Sequence, residues 1–136
     1  LNQPMQATLP MLKAAGTQTP KAVYFTALGL AYNQIGQHEF ALAALTRSLT
    51  LEPDNPYVLI QQAIAYVGVG DDPEASQALK KSMVLSIIAQ DHRNASRALR
   101  MIQSLDLSAQ LQPQELTAYE TKISQLLTTP DTRTLK

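Results

Sequence analysis

The chain of 136 residues contains no cysteine. Disulfides, thiol nucleophiles and cysteine metal sites are therefore excluded, and the redox compartment is left undetermined. Glycine is scarce, with 5 residues, and aromatics make up only 5%. Charged residues account for 16%, where about 25% is usual in a soluble domain. The formal net charge is zero, so the overall balance argues neither for nor against a nucleic-acid or membrane partner. Long apolar runs are also missing: "PYVLIQQAIAYVGVG", residues 56–70, is the most apolar stretch and is too short to span a bilayer. The chain opens on Leu1 rather than methionine. A piece of a longer product is expected, so the lack of a leader peptide carries no weight.

What is abundant is leucine, alanine and glutamine, a composition that favours helices, in a length that makes one ordinary domain. Strand signals are lacking. Pro20, Gly36, Pro53, Pro56, Gly70, Pro73, Pro113 and Pro130 cut the chain into segments of helical length. Asn2 can cap a first helix to 13 or 15, interrupted at Pro10 and stopped by Gly16. Thr19 and Pro20 open a helix to about 35, with Gly36 as its left-handed stop. A helix over His38–Leu51 follows. Asn55 caps and Pro56 opens the next, which runs to Gly70. Asp71 and Asp72 look like paired carboxylates, but before Pro73 they read as a cap and a first-turn charge of a helix reaching 87 or 88. Asp91 caps a helix to about 105, Pro113 opens one to about 127, and residues 129–136 are expected to form a disordered tail.

Placing "AVYFTALGLAYNQIG" over residues 56–70 sets Ala31 on Ala65, Tyr32 on Tyr66 and Gly36 on Gly70 at a spacing of 34. Phe25, Leu28, Gly29, Tyr32, Ala41, Leu45, Ser48 and Pro53 follow the pattern aromatic, two residues, Leu-Gly, two residues, Tyr, then Ala, three residues, a large apolar residue, and later Pro. Leu59, Gln62, Ala63, Tyr66, Ala75, Leu79, Ser82 and Ile87 occupy the same slots one period on. This resembles the tetratricopeptide repeat. The resemblance covers 22–89, half the chain, as units 22–55 and 56–89. It fails in "QDHRNASRALR", where Arg97 replaces the small Gly29 and Ala63, and Arg100 replaces the tyrosines. It implies an all-α, right-handed solenoid of helical hairpins, with an N-terminal helical segment over 1–20 and a capping hairpin over 90–128.

The family resemblance further implies protein binding rather than catalysis, with a helix or extended peptide held in a groove lined by the first helix of each unit. Carried over by slot, that lining is Val23, Thr26, Ala27, Leu30, Asn33 and Gln34, then Tyr57, Ile60, Gln61, Ile64 and Val67. The set is too apolar for the acidic chaperone tails that one subfamily grips with groove lysines and arginines. The helix over 56–70 is apolar all round and should be buried all round, with Leu59, Ala63 and Tyr66 facing the repeat core and Tyr57, Ile60, Ile64 and Val67 facing the groove. Three covers are open: the chain's own terminal segment, a separate protein, or a second copy giving a homodimer.

Charge is uneven. Residues 22–75 carry six acids against one base, and residues 76–105 five bases against one acid. Arg93, Arg97 and Arg100 fall at i, i+4 and i+7 on one helix stripe, expected to be a solvated or ion-paired face and a secondary site. With no aromatic interleaving it does not suggest nucleic acid. His38 and His92 have no acid or second histidine at ligand spacing, so no metal is implied, and no phosphate loop or nucleophile motif is present. The expectation is a non-enzymatic module without cofactor and without membrane contact by this segment: an adaptor, chaperone or assembly factor, or else the regulatory or structural domain of a larger enzyme. Low charge with many Gln and Thr leans toward a bacterial envelope location.

Overall fold

The computed structural model describes residues 20–105 and 111–128. The expected first helix from 2 to 13 or 15, the expected cap Thr19 of the helix that Pro20 opens and the expected tail over 129–136 lie outside them. Among the described residues there are six helices and no strand: α1 (Pro20–Gln34), α2 (His38–Leu51), α3 (Pro56–Gly68), α4 (Asp72–Ile88), α5 (His92–Ser104) and α6 (Pro113–Thr128). The chain is all-α.

Local chemistry sets the boundaries. The first N–H groups of a helix have no intrahelical acceptor, and a short polar side chain just before them supplies one. Asn55 accepts from Tyr57 N at 3.0 Å and Val58 N at 3.2 Å, Asp71 accepts from Glu74 N at 3.4 Å, and Asp91 accepts from Asn94 N at 3.2 Å. Three helices end alike. Gly36 (φ 78°), Gly70 (φ 84°) and Gln90 (φ 57°) take the left-handed conformation, and the next N–H reaches back to the carbonyls of Tyr32, Tyr66 and Ser86, each at 2.8 Å. Only the third turn lacks glycine, and a side chain there is strained by its own Cβ. Gln90→Gly is expected to raise the unfolding free energy by about 0.5–1 kcal/mol, measured by urea titration.

The hairpin seams repeat atom for atom. Ser48 Oγ donates to the carbonyl of Ala22 at 3.2 Å, and 34 residues later Ser82 Oγ donates to the carbonyl of Pro56 at 2.8 Å. Ala41 and Ala75, Leu45 and Leu79, and Ser48 and Ser82 are all fully buried at matched positions. Each helix through α5 packs on its neighbour in sequence, α1 also meets α3, α3 meets α5, and α6 rests more sparingly on α5 and α4.

Two clusters of buried side chains stand out among the described residues. Ala41, Leu45, Val58 and Ala65 make the smaller one. Ile60, Ala63, Leu79, Met83, Ala95, Ala98 and Ile102 belong to the larger, which Leu111 and Ile123 extend. Helix α3 therefore lies between them, with Val58 and Ala65 turned to one and Ile60 and Ala63 to the other. That is why its sequence is apolar on every side. The expected division of α3 into a core face and a groove face is corrected here: Ile60 is 0% exposed and shares a cluster with Ala63, on which Tyr66 and Val67 also pack.

Candidate interaction surface

The residues expected to line a groove fall into two groups. Thr26, Ala27, Leu30 and Ile60 are buried and offer no surface to a partner. Thr26 Oγ1 lies 2.7 Å from Ser48 Oγ. The two hydroxyls share a hydrogen bond, which holds the Thr26 hydroxyl inside the α1–α2 seam. Asn33 is also committed. Its Nδ2 donates to the Gln61 carbonyl at 3.0 Å and its Oδ1 accepts from His38 Nδ1 at 2.9 Å, which ties α1, α2 and α3 together. His38 in turn lies where a Cβ on Gly68 would sit, so it is a joint between α2 and α3. Val23, Tyr57, Gln61, Ile64 and Val67 are half-buried and Gln34 is exposed. These six keep accessible surface.

The basic stripe takes a more definite form than its spacing suggested. Ala95, Ala98 and Ile102 anchor one face of α5 in the core, so Arg93, Arg97 and Arg100 are turned outward and exposed. None of the three makes an ion pair with another described residue; the pair that does form joins Lys80 Nζ of α4 to Glu115 Oε2 of α6 at 2.8 Å. The Arg97 guanidinium stands 5.7 Å above the Tyr57 ring, a cation–π contact worth about 0.5–1 kcal/mol where solvent reaches it. Burial raises the pKa of the Tyr57 phenol, and Arg97 opposes the shift. Burial does the same at Tyr66, with Glu74 and Asp71 adding to it. Lys80 is held above its ordinary value mainly by its hydrogen bond to Glu115.

Between α5 and α6 lies a cleft of about 790 Å³, with His92, Arg93, Ser96, Arg97, Leu99 and Arg100 on the α5 wall and Glu120, Ile123, Ser124 and Leu127 on the α6 wall. The sequence contained two of its signals, the arginine spacing and the apolar positions of α6, but not their juxtaposition. Among the described residues no helix is long and apolar enough to cross a membrane, and no group of three or more His, Asp or Glu could hold a metal ion. Comparison with protein-family models, curated proteins and solved structures gave no match.

Proposed function

We propose that this chain is a protein-interaction module of the tetratricopeptide type, a right-handed stack of two helical hairpins that holds a helix or extended peptide of another protein, as an adaptor, chaperone or assembly factor does. It works by binding and not by catalysis. The observation that carries the reading is the seam bond repeated at 34 residues, Ser48 to Ala22 and Ser82 to Pro56. A sequence that repeats the small residues and seam donors of a hairpin at a fixed period is built to stack units and present a surface. The surface assigned to the partner is the accessible part of the inferred lining: Val23, Gln34, Tyr57, Gln61, Ile64 and Val67.

A second reading is supported by the burial of Leu30 and Ile60. If the chain covers most of its own groove, the module is a regulatory or structural domain of a larger protein. Ile64→Asp tests the first. Ile64 is half-buried, so the variant is expected to keep its helical circular dichroism and lose affinity by about tenfold or more for peptides selected from a random display library on the intact chain. Unchanged affinity for every selected peptide would remove Ile64 from the binding surface. A library that yields no binder above background would overturn the module reading.

A further inference from the structure

We infer that the α5–α6 cleft is a second docking site, and that its occupant is an acidic amphipathic helix of a partner protein, whose carboxylates meet Arg93, Arg97 and Arg100 while its apolar stripe covers Leu99, Ile123 and Leu127. The inference rests on reading this chain as an interaction module, but it places a site outside the inferred groove and names what the site takes.

Charge complementarity argues for the acidic partner. Three guanidinium groups sit on one helix face, all exposed and none paired with a described carboxylate. Among the described residues the acid nearest in sequence, Asp91, is otherwise engaged: it caps α5 through Asn94 N and also accepts from Asn94 Nδ2 at 2.8 Å. Glu120 is the single carboxylate among the described residues of the cleft wall, and its Oε2 accepts from Gln103 Nε2 at 3.3 Å. The cleft therefore keeps a positive excess. Arginine is the cation suited to this use, because its planar fork binds a carboxylate through two parallel hydrogen bonds and loses less on desolvation than an ammonium.

The apolar side of the argument is independent. Leu127 is 61% exposed although it lies beside Ile123, which is 3% exposed, in the same cleft as the half-buried Leu99. A surface leucine alone needs no explanation; one at the rim of a cleft with an apolar floor and a cationic edge is the pattern of an anchor pocket with a polar rim. Ser96 Oγ lines the same wall, is buried, and has no hydrogen-bond partner. A helix rather than an extended strand is favoured because the walls are themselves two helices packed sparingly on each other. A third helix laid between them sets side chains at i, i+4 and i+7 against arginines spaced i, i+4 and i+7.

The test uses the intact chain and a designed peptide of about 18 residues, long enough for five helical turns, with leucines on one stripe and glutamates at i, i+4 and i+7 beside it. A second peptide carries the same residues in scrambled order, and a third replaces each glutamate by lysine. Fluorescence anisotropy at about 0.15 M salt is expected to show binding of the first peptide alone. Arg93→Gln, Arg97→Gln and Arg100→Gln combined, and separately Leu127→Asp, are each expected to weaken it by about tenfold or more. All four positions are exposed, so an unchanged circular dichroism spectrum is expected, with the melt of the triple variant lowered only by the loss of the Arg97–Tyr57 contact. Ile64→Asp should leave this peptide's affinity unchanged. Equal binding of the scrambled peptide would reduce the site to diffuse charge attraction and overturn the inference, as would absence of binding or survival of binding in the triple variant. Loss of binding in Ile64→Asp with the cleft variants unaffected would overturn it while leaving the module reading in place.

Discussion

Gly29→Ala is expected to destabilise the domain by a net of about 1–2 kcal/mol, even though alanine is the better helix former by about 1 kcal/mol. A Cβ at position 29 lies 2.5 Å from Leu45 Cδ2 and closer still to Leu45 Cγ. Leu45 cannot yield by turning into solvent, since it is fully buried beside Ala41, Val58 and Ala65. Protein interiors are packed like crystals, so the added methyl must push either the leucine off its rotamer or the two helices apart. Leu45→Ala alone leaves a cavity and costs about 2–5 kcal/mol. The two substitutions made together should cost less than their sum by about 0.5–3 kcal/mol, because the methyl of one occupies space vacated by the other. Urea unfolding of the four proteins of this cycle measures the coupling. Strict additivity would mean that α1 and α2 do not meet at this pair.

Ile60→Asp is expected to abolish the cooperative unfolding transition. The side chain is fully buried between α4 and α5 residues, so the substitution removes a large apolar group worth about 1.5–3 kcal/mol of burial and puts in its place a carboxylate with no partner, at a further cost of several kcal/mol. A domain of this size has about 5–15 kcal/mol in total. Ile60→Val, by contrast, should cost about 0.5–1.5 kcal/mol. Four residues along the same helix, Ile64→Asp should lower the melt far less, because Ile64 is only partly buried. A folded Ile60→Asp variant with a near-normal melting temperature would show that Ile60 faces solvent after all and restore it to the binding surface.

These two variants mark where the sequence stopped informing. The helix boundaries were legible because caps and stops are local: Asn55 reaches N–H groups two and three residues away, Asp71 and Asp91 reach three, and the left-handed turns at Gly36 and Gly70 need only their own φ. The seam positions were legible too, since a spacing of 34 set Ser48 over Ser82 and Leu45 over Leu79, and like residues at like positions meet like surroundings. The all-α character followed from composition and proline placement alone. The direction in which α3 presents Ile60 was not legible, because a helix apolar on every side carries no moment to orient it. Thr26 was misplaced, and the partners of Asn33 were missed, for a related reason. A polar side chain in a sequence does not disclose whether its hydrogen-bond partner is water or a group brought in from afar, and theirs come from Ser48, His38 and the Gln61 backbone. The cleft depends on the same kind of information: arginine spacing on α5 was visible in the chain, but only the docking of α6 beside it puts Ile123 and Leu127 opposite those arginines, because contacts between helices are decided by packing across the fold and not by neighbours along the chain.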